Sequence, residues 1–161
     1  MDVTIRAARR RDAGAIAGLM RDFAATQDRP TGLVTTTTVT RDVLGPGRVV
    51  TTHVAEAGGR PVGYVCFQPA YESAYAARGL YVCDLYVDAA MRRRGIARRL
   101  LASVAREAKA LGLTYVWWVS IAGNDTAHRL YRSIANIEEP LIAHAVADEA
   151  FERLASLDQP A

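Results

Sequence analysis

The sequence contains few of the residues that build a disulfide framework or a metal centre. Two cysteines, Cys66 and Cys83, are present among 161 residues, and they form no CxxC pair. The three histidines, His53, His128 and His144, show no metal-ligand spacing. We therefore expect the cysteines to be small core residues, no metal to be bound, and the protein to work in the reducing cytoplasm.

Long apolar runs and a strong charge of either sign are also missing. No apolar run approaches the ~20 residues that a bilayer-spanning helix needs, and residues 1–11 are too polar for a signal peptide. A hydrophobic content of 50% and a net charge of +3 are those of an ordinary globular protein with a weak preference for anions. These properties predict one domain over residues 1–161 and no membrane partner.

The order of strand-like and helical patterns predicts an α+β (α/β) protein with a mixed, mostly antiparallel sheet. Gly58-Gly59 joins two strand-like runs and indicates a hairpin, whereas a later strand–helix–strand crossover requires a parallel pair. Strands are predicted at 3–6, 48–56, 61–68, 80–87, 113–120 (buried) and 141–146, with a tyrosine-bearing loop at 69–79. Helices are predicted after an Asp12 cap, around 40–44, from Gly95 to near Leu111, from Asn124, and over 148–157.

The most informative stretch joins one predicted strand to one predicted helix. The apolar run at 82–87 is followed by Arg92-Arg93-Arg94-Gly95, which opens directly into an amphipathic helix. A helix N-terminus offers backbone N–H groups and the positive end of a dipole, and glycine lets a ligand approach the backbone closely. This junction predicts a site for a pyrophosphate.

The same arginines have two simpler interpretations, a solvated surface patch and a nucleic-acid-binding helix. A helix that reads DNA needs a basic stripe that continues along one face. Beyond Arg99 the helix instead carries a core-facing apolar stripe made of Leu100, Leu101, Val104, Ala105, Ala108 and Leu111. We therefore expect no nucleic-acid partner.

Two motifs together resemble the GNAT superfamily of acetyl-CoA-dependent N-acetyltransferases. The first, Arg92-Arg93-Arg94-Gly95-Ile96-Ala97, matches the family pattern of Arg or Gln, two residues, Gly, one residue, then Gly or Ala. The second lies about thirty residues on and runs from Asn124 to Tyr131. The resemblance covers about residues 3–155. It implies the GNAT fold, with a parallel strand pair at the cofactor site and helices on both faces of the sheet.

The resemblance also implies acetyl-CoA as co-substrate and a role for each matching residue. The pantetheine arm would lie along Leu85 to Val87 as an extra strand, with a backbone N–H near Leu85 facing the thioester oxygen. Tyr131 would protonate the departing thiolate, although a tyrosine in this pattern is also typical of a half-buried core residue. The implied cofactor-binding residues are Leu85, Tyr86, Val87, Arg92, Arg93, Arg94, Gly95, Ile96, Ala97, Arg98, Asn124 and Tyr131.

The acetyl acceptor must lose a proton before it reacts, because an alkyl amine has a pKa of about 10.4. We interpret Asp84 as the catalytic base, acting through water, with Glu56 and Glu72 as alternatives. The simpler interpretation of Asp84 is a strand-end residue that accepts a hydrogen bond from a neighbouring backbone N–H.

The middle of the chain is most similar to the diamine (spermidine/spermine) and thialysine acetyltransferase branch. That branch reads Leu-Glu-Asp-Leu where this chain has Val82-Cys83-Asp84-Leu85, so one acidic residue that handles the amine is replaced by Cys83. The acceptor stays open among a polyamine, an amino acid, an aminoglycoside-like molecule and a peptide amine. A catalytically weak acetyl-CoA-binding or partner-binding module is the alternative function. Analogy with relatives implies a homodimer.

Overall fold

A five-stranded mixed sheet forms the centre of the first of two compact units, Met1–Ile121. The computed structural model describes residues 2–157. The strands lie across the sheet in chain order: β1 (Val3–Ala7), β2 (Thr51–Ala57), β3 (Arg60–Glu72), β4 (Ala77–Val87) and β5 (Tyr115–Trp118). β1 to β4 are antiparallel, and β4 pairs with β5 in parallel. The predicted mixed sheet with one parallel pair is confirmed.

The two hairpins of the sheet differ in how well the sequence predicted them. The Gly58-Gly59 turn is confirmed, since both residues have positive φ angles of 58° and 79°. The predicted loop at 69–79 is wrong: β3 continues to Glu72, a 3-10 turn spans Ser73–Tyr75, and β4 begins at Ala77. Tyrosine favours extended backbone, and Tyr71 lies within β3, whereas Tyr75 lies in the 3-10 turn.

Helices cover both faces of the sheet, as the family resemblance implies. Helix α1 (Ala13–Ala25) packs its buried Ile16 and Leu19 against a core layer that includes Tyr64, Cys66 and Tyr86. On the other face, Ser103 of α3 (Ile96–Ala110) lies 2.9 Å from Nδ1 of His53. A short helix, α2 (Thr36–Thr38), continues into a π-helical turn at Val39–Val43, and the predicted helix near 40–44 is confirmed with an earlier start.

The start of α1 is fixed by an ion-pair network. The guanidinium of Arg6 donates to both carboxylate oxygens of Asp12, at 2.7 and 3.0 Å, and its Nε donates to Glu56 at 2.9 Å. Asp12 also accepts from the backbone N–H of Arg9 at 2.7 Å. Asp12 therefore stands at the helix start as predicted, but its carboxylate binds Arg6 and the Arg9 backbone in place of an N–H of α1.

Strand β5 is shorter and more exposed than the buried strand predicted at 113–120. It spans four residues, and the side chain of Trp117 is 40% exposed. The strand lies at one end of the sheet order, so it has a single strand neighbour. An edge strand keeps more contact with solvent than a central one. The apolar composition of this segment therefore did not predict how exposed the strand is.

The second compact unit is Ala122–Ala161, and its described part, residues 122–157, contains two short helices, α4 (Asp125–Arg132) and α5 (Asp148–Ala155). Asn124 caps α4, since its side-chain oxygen accepts from the Ala127 N–H at 3.1 Å. The strand predicted at 141–146 is wrong: this segment has no regular structure, and Ile142 is 83% exposed. Apolar residues form a strand only where another strand accepts their hydrogen bonds. None of the helices within residues 2–157 combines the length and the apolarity needed to span a membrane.

Candidate active site

Strand β4 separates from its parallel neighbour halfway along its length. It pairs with β5 only from Gly79 to Val82, whereas on its other side it stays paired with β3 as far as Val87. In the described part of the chain, no strand pairs with 83–87 on the β5 side. This edge can therefore accept an extended ligand as an additional strand, which is the β-augmentation mode of binding.

A β-bulge lies where the two strands separate. Cys66 pairs with Asp84 and Phe67 pairs with Val82, so Cys83 is the extra residue of β4. Bulges re-aim side chains and are over-represented beside active sites. On the Val87 side of the bulge, Asp84 and Tyr86 share the face of the sheet that α1 covers, because residues two apart in a strand lie on the same face. Cys83 is partly buried against the same core.

The loop after β4 is held in place by its own residues. The Asp88 carboxylate accepts from the Ala90 N–H at 2.9 Å and caps a 3-10 turn at Ala89–Met91. Nε of Arg92 donates to the Val87 carbonyl at 3.0 Å, and its guanidinium lies 5.4 Å from the centre of the Tyr86 ring. Arg92 thus supports the loop, and all three arginines, Arg92 to Arg94, are exposed to solvent.

The loop ends in a backbone conformation suited to binding an anion. Arg93 and Gly95 have positive φ angles of 63° and 72°, and the left-handed Gly95 directly precedes the right-handed helix α3. Backbone N–H groups of adjoining left- and right-handed residues form anion-binding concavities. The first hydrogen bond of α3 runs from the Arg99 N–H to the Gly95 carbonyl, so the N–H groups of Ile96 and Ala97 precede it. No side chain among residues 2–157 caps this end, and a Cβ on Gly95 would have no neighbour within 4 Å. The predicted pyrophosphate-binding residues are therefore contiguous at the start of α3, where Arg92 to Gly95 are exposed and the side chain of Ile96 is buried.

Among the three candidate bases, Asp84 has the most suitable surroundings. Burial raises the pKa of its carboxyl, and the positive charge of Arg29 opposes that shift. A raised pKa makes a carboxylate a stronger base near neutral pH. Glu56 is hydrogen-bonded to Arg6, and the exposed Glu72 accepts from the Ala74 N–H at 3.1 Å.

The second motif lies on α4 in the second compact unit. Asn124 caps this helix, so its side-chain oxygen already has a structural role. Tyr131 is half-buried on the last turn, and burial raises the pKa of its hydroxyl. A tyrosine with a raised pKa stays protonated at neutral pH and can donate a proton.

Two residues near Asp84 carry no sequence signal. Arg29 follows α1 in a turn where Asp28 has a φ of 52° and the Arg29 N–H donates to the Ala24 carbonyl at 3.1 Å. Tyr64 has the pattern of an ordinary core aromatic, and only the strand register brings it near Asp84. Within residues 2–157, no group of three or more His, Cys, Asp or Glu residues could hold a metal ion.

Solved structures with the same fold come from several kinds of protein. An integron cassette protein from the mobile metagenome of V. cholerae superposes with a TM-score of 0.80 at 19% identity, covering 97% of this chain and 99% of that one. An aminoglycoside acetyltransferase from an uncultured soil metagenomic sample, in complex with sisomicin, gives a TM-score of 0.76 at 18% identity, covering 91% and 97%. At these identities the likeness shows the fold alone.

The sequence comparisons show the family. The L-ornithine N5-acetyltransferase NATA1 of Arabidopsis thaliana is 36% identical over 72 residues, which are 45% of this chain. The match spans 32% of that protein, about a third of its length. The sequence model of the acetyltransferase (GNAT) family matches residues 19–135. That range includes β4, the arginine–glycine loop, α3 and α4, and the chain therefore belongs to the acetyltransferase (GNAT) family.

Proposed function

We propose that this protein is an N-acetyltransferase that moves an acetyl group from acetyl-CoA directly to a primary amine of a small molecule. The observation that carries the proposal is the junction of β4 and α3. An unpaired strand edge at 83–87 leads into a loop where a Cβ on Gly95 would meet no atom within 4 Å and where the N–H groups of Ile96 and Ala97 precede the first hydrogen bond of α3. An elongated ligand with an amide-bearing arm and a diphosphate needs these two features side by side.

Different residues of this junction would bind different parts of acetyl-CoA. Backbone groups of Leu85, Tyr86 and Val87 would bind the pantetheine arm, and the N–H groups of Gly95 to Arg98 would bind the diphosphate. Arg93 and Arg94 add positive charge, whereas Arg92 acts indirectly by fixing the Val87 carbonyl and the Tyr86 ring. The resemblance adds Asn124 and Tyr131 to this set.

The proposed chemistry must remove two protons from the substrate ammonium and supply one to the departing thiolate. Asp84 accepts a proton from the substrate ammonium through a water molecule, because the charged amine has no free electron pair. The amine nitrogen then bonds to the acetyl carbonyl carbon, the carbon–sulfur bond breaks, and the thiolate of CoA leaves. Tyr131 gives its hydroxyl proton to that thiolate, and the nitrogen loses its second proton as it becomes an amide, which returns a proton to the Tyr131 phenolate through water. Positioning of the two substrates can supply on the order of 7–11 kcal/mol of the barrier.

The charges near Asp84 favour an acceptor that carries a carboxylate as well as an amine. Arg29 is exposed, and its positive charge acts on Asp84. Asp84 would attract the ammonium group and Arg29 the carboxylate of an amino acid with a terminal side-chain amine. The similar plant protein is named for ornithine, which has both groups.

Thiol release with a panel of amines tests this proposal. We expect a higher kcat/KM for ornithine than for putrescine, which has the amine without the carboxylate. Arg29→Gln changes the charge beside Asp84 for both amines, but it should lower kcat/KM for ornithine relative to putrescine by about 10-fold or more, the size of one charged hydrogen bond. Arg60→Gln, at the exposed start of β3, is the matched control. An equal loss with both amines would contradict the role of Arg29.

A catalytically weak acetyl-CoA-binding or partner-binding module is the second candidate. The presence of Cys83 where the diamine branch has a glutamate favours it. Tight CoA binding without turnover on ornithine, polyamines, aminoglycosides or a lysine peptide would support this alternative. We also propose a cytoplasmic location and, on resemblance alone, a homodimer. Both described cysteines are free thiols, in agreement with a reducing compartment.

A further inference from the structure

Tyr64 of β3 has a hydroxyl for which the fold of residues 2–157 provides no hydrogen-bond partner. The side chain is 0% exposed and lies in the core layer under α1. A buried hydroxyl without a partner loses its hydrogen bonds to water and gains none in return. Phenylalanine would fill the same space without that cost, so packing alone does not account for a tyrosine at this position.

The strand register brings this hydroxyl to the neighbourhood of Asp84. Tyr64 pairs with Tyr86, and the next residue pair on the same face is Cys66 with Asp84. Tyr64 and Asp84 are therefore diagonal neighbours, a separation of about 7–8 Å that an aromatic side chain spans. Burial raises the pKa of Tyr64, and the negative charge of Asp84 raises it further.

We propose that Tyr64 is a positioning residue for Asp84: no group among the described residues lies within hydrogen-bond distance of the Tyr64 hydroxyl in this structure, and a rotation of the ionised Asp84 side chain lets its carboxylate accept a hydrogen bond from that hydroxyl. This inference rests on the proposed function. Tyr64 keeps its own proton throughout, and Asp84 alone takes the proton from the amine. The hydrogen bond stabilises the charged form of Asp84 against burial and holds the carboxylate in one orientation.

We assign this role to Tyr64 and not to the other titratable groups around Asp84. Arg29, from the turn after α1, is the cation that acts on Asp84. Burial raises the pKa of the Cys66 thiol of β3 to about 12 and raises the pKa values of Tyr81 and Cys83 of β4. Of these groups, the Cys66 thiol is paired with the Thr52 hydroxyl at 3.3 Å. Tyr86 shares the face and forms a cation–π contact with Arg92.

Tyr64→Phe in the full chain tests the inference, because it removes one oxygen from a buried ring. We expect the acid limb of the pH profile of kcat/KM to move to higher pH, since Asp84 without its donor protonates more readily. We expect kcat to fall by about 10-fold, while the thermal midpoint stays the same or rises. Thr52→Val, which removes a buried hydroxyl from the same face, should leave the acid limb unchanged.

A carbon NMR titration of the Asp84 carboxyl separates this inference from the proposed function. The resonance is assigned by its loss in Asp84→Asn, and the titration needs no substrate. If the wild type acetylates no amine, the proposed function fails, but a higher titration midpoint in Tyr64→Phe still supports the hydrogen bond. An unchanged carboxyl midpoint would overturn the inference, even if activity fell.

Discussion

At the scale of single residues, two aspartates of the same unit have opposite environments. Asp12 is 4% exposed, and hydrogen bonds from Arg6 and from the Arg9 backbone hold its pKa below the ordinary value. Asp84 lacks such an arginine contact, and burial raises its pKa. Asp12 therefore stabilises the fold as a carboxylate, whereas the ionised form of Asp84 is disfavoured by its surroundings. That difference marks Asp84 as the functional member of the two.

Asp12→Asn should destabilise the protein at pH 7 by about 3 kcal/mol, because it leaves the Arg6 charge without one of its two carboxylates. The folded-state pKa of Asp12 is lowered, so its contribution is present above the ordinary value of 3.8 and is lost as the pH falls through the folded value. Urea unfolding at several pH values measures both effects, with the exposed Asp22→Asn of α1 as control. Equal unfolding free energies for wild type and Asp12→Asn at pH 7 would contradict the assignment.

Sequence reasoning could name Asp84 and Tyr131 because both lie within motifs of contiguous residues. It could not name Tyr64 or Arg29. Tyr64 comes near Asp84 through the pairing of two strands, and Arg29 through a turn after α1. Long-range pairing of this kind leaves no mark in the local pattern of either segment.

At the scale of elements, the loop between β4 and α3 supports a sharp test of CoA binding. Gly95 has a φ of 72°, and Asn and Asp are the side chains that tolerate this region best. Gly95→Asp and Gly95→Asn add side chains of equal size and differ in charge. We expect Gly95→Asp to bind CoA at least about 100-fold more weakly, because its carboxylate would repel the diphosphate. Calorimetry should find a much smaller loss for Gly95→Asn, and equal losses in the two variants would contradict an anion site here.

The elements that the sequence predicted well are those whose signals are local. Helix α3 begins after Gly95 and ends before Gly112, as its periodicity and end residues indicate. The failures concern strands, at 69–79, 113–120 and 141–146. A strand depends on a neighbour supplied by a distant part of the chain. Composition alone therefore did not predict the length of β3 and β4, the exposure of β5, or the lack of a strand at 141–146.

At the scale of the whole molecule, the family motifs fall in two compact units. The strand edge, the arginine–glycine loop and Asp84 belong to Met1–Ile121, and Asn124 and Tyr131 belong to Ala122–Ala161. In the proposed mechanism, groups of the first unit bind the diphosphate and accept the amine proton, and Tyr131 of the second unit donates a proton. Substitutions in the two units should therefore affect different kinetic constants. The prediction of a single domain over residues 1–161 stays a prediction.

Tyr131→Phe separates these contributions, because it removes the proposed proton donor and keeps the ring. Burial raises the pKa of Tyr131, so the wild-type hydroxyl is protonated throughout the neutral range and is available as an acid. We expect kcat to fall by about 10- to 1000-fold, the usual contribution of general acid catalysis, with little change in the Kd for CoA. Tyr75→Phe, on the exposed turn between β3 and β4, provides the control. A normal kcat in Tyr131→Phe would remove this residue from the mechanism, whereas a large rise in Kd would make it a binding residue instead of an acid.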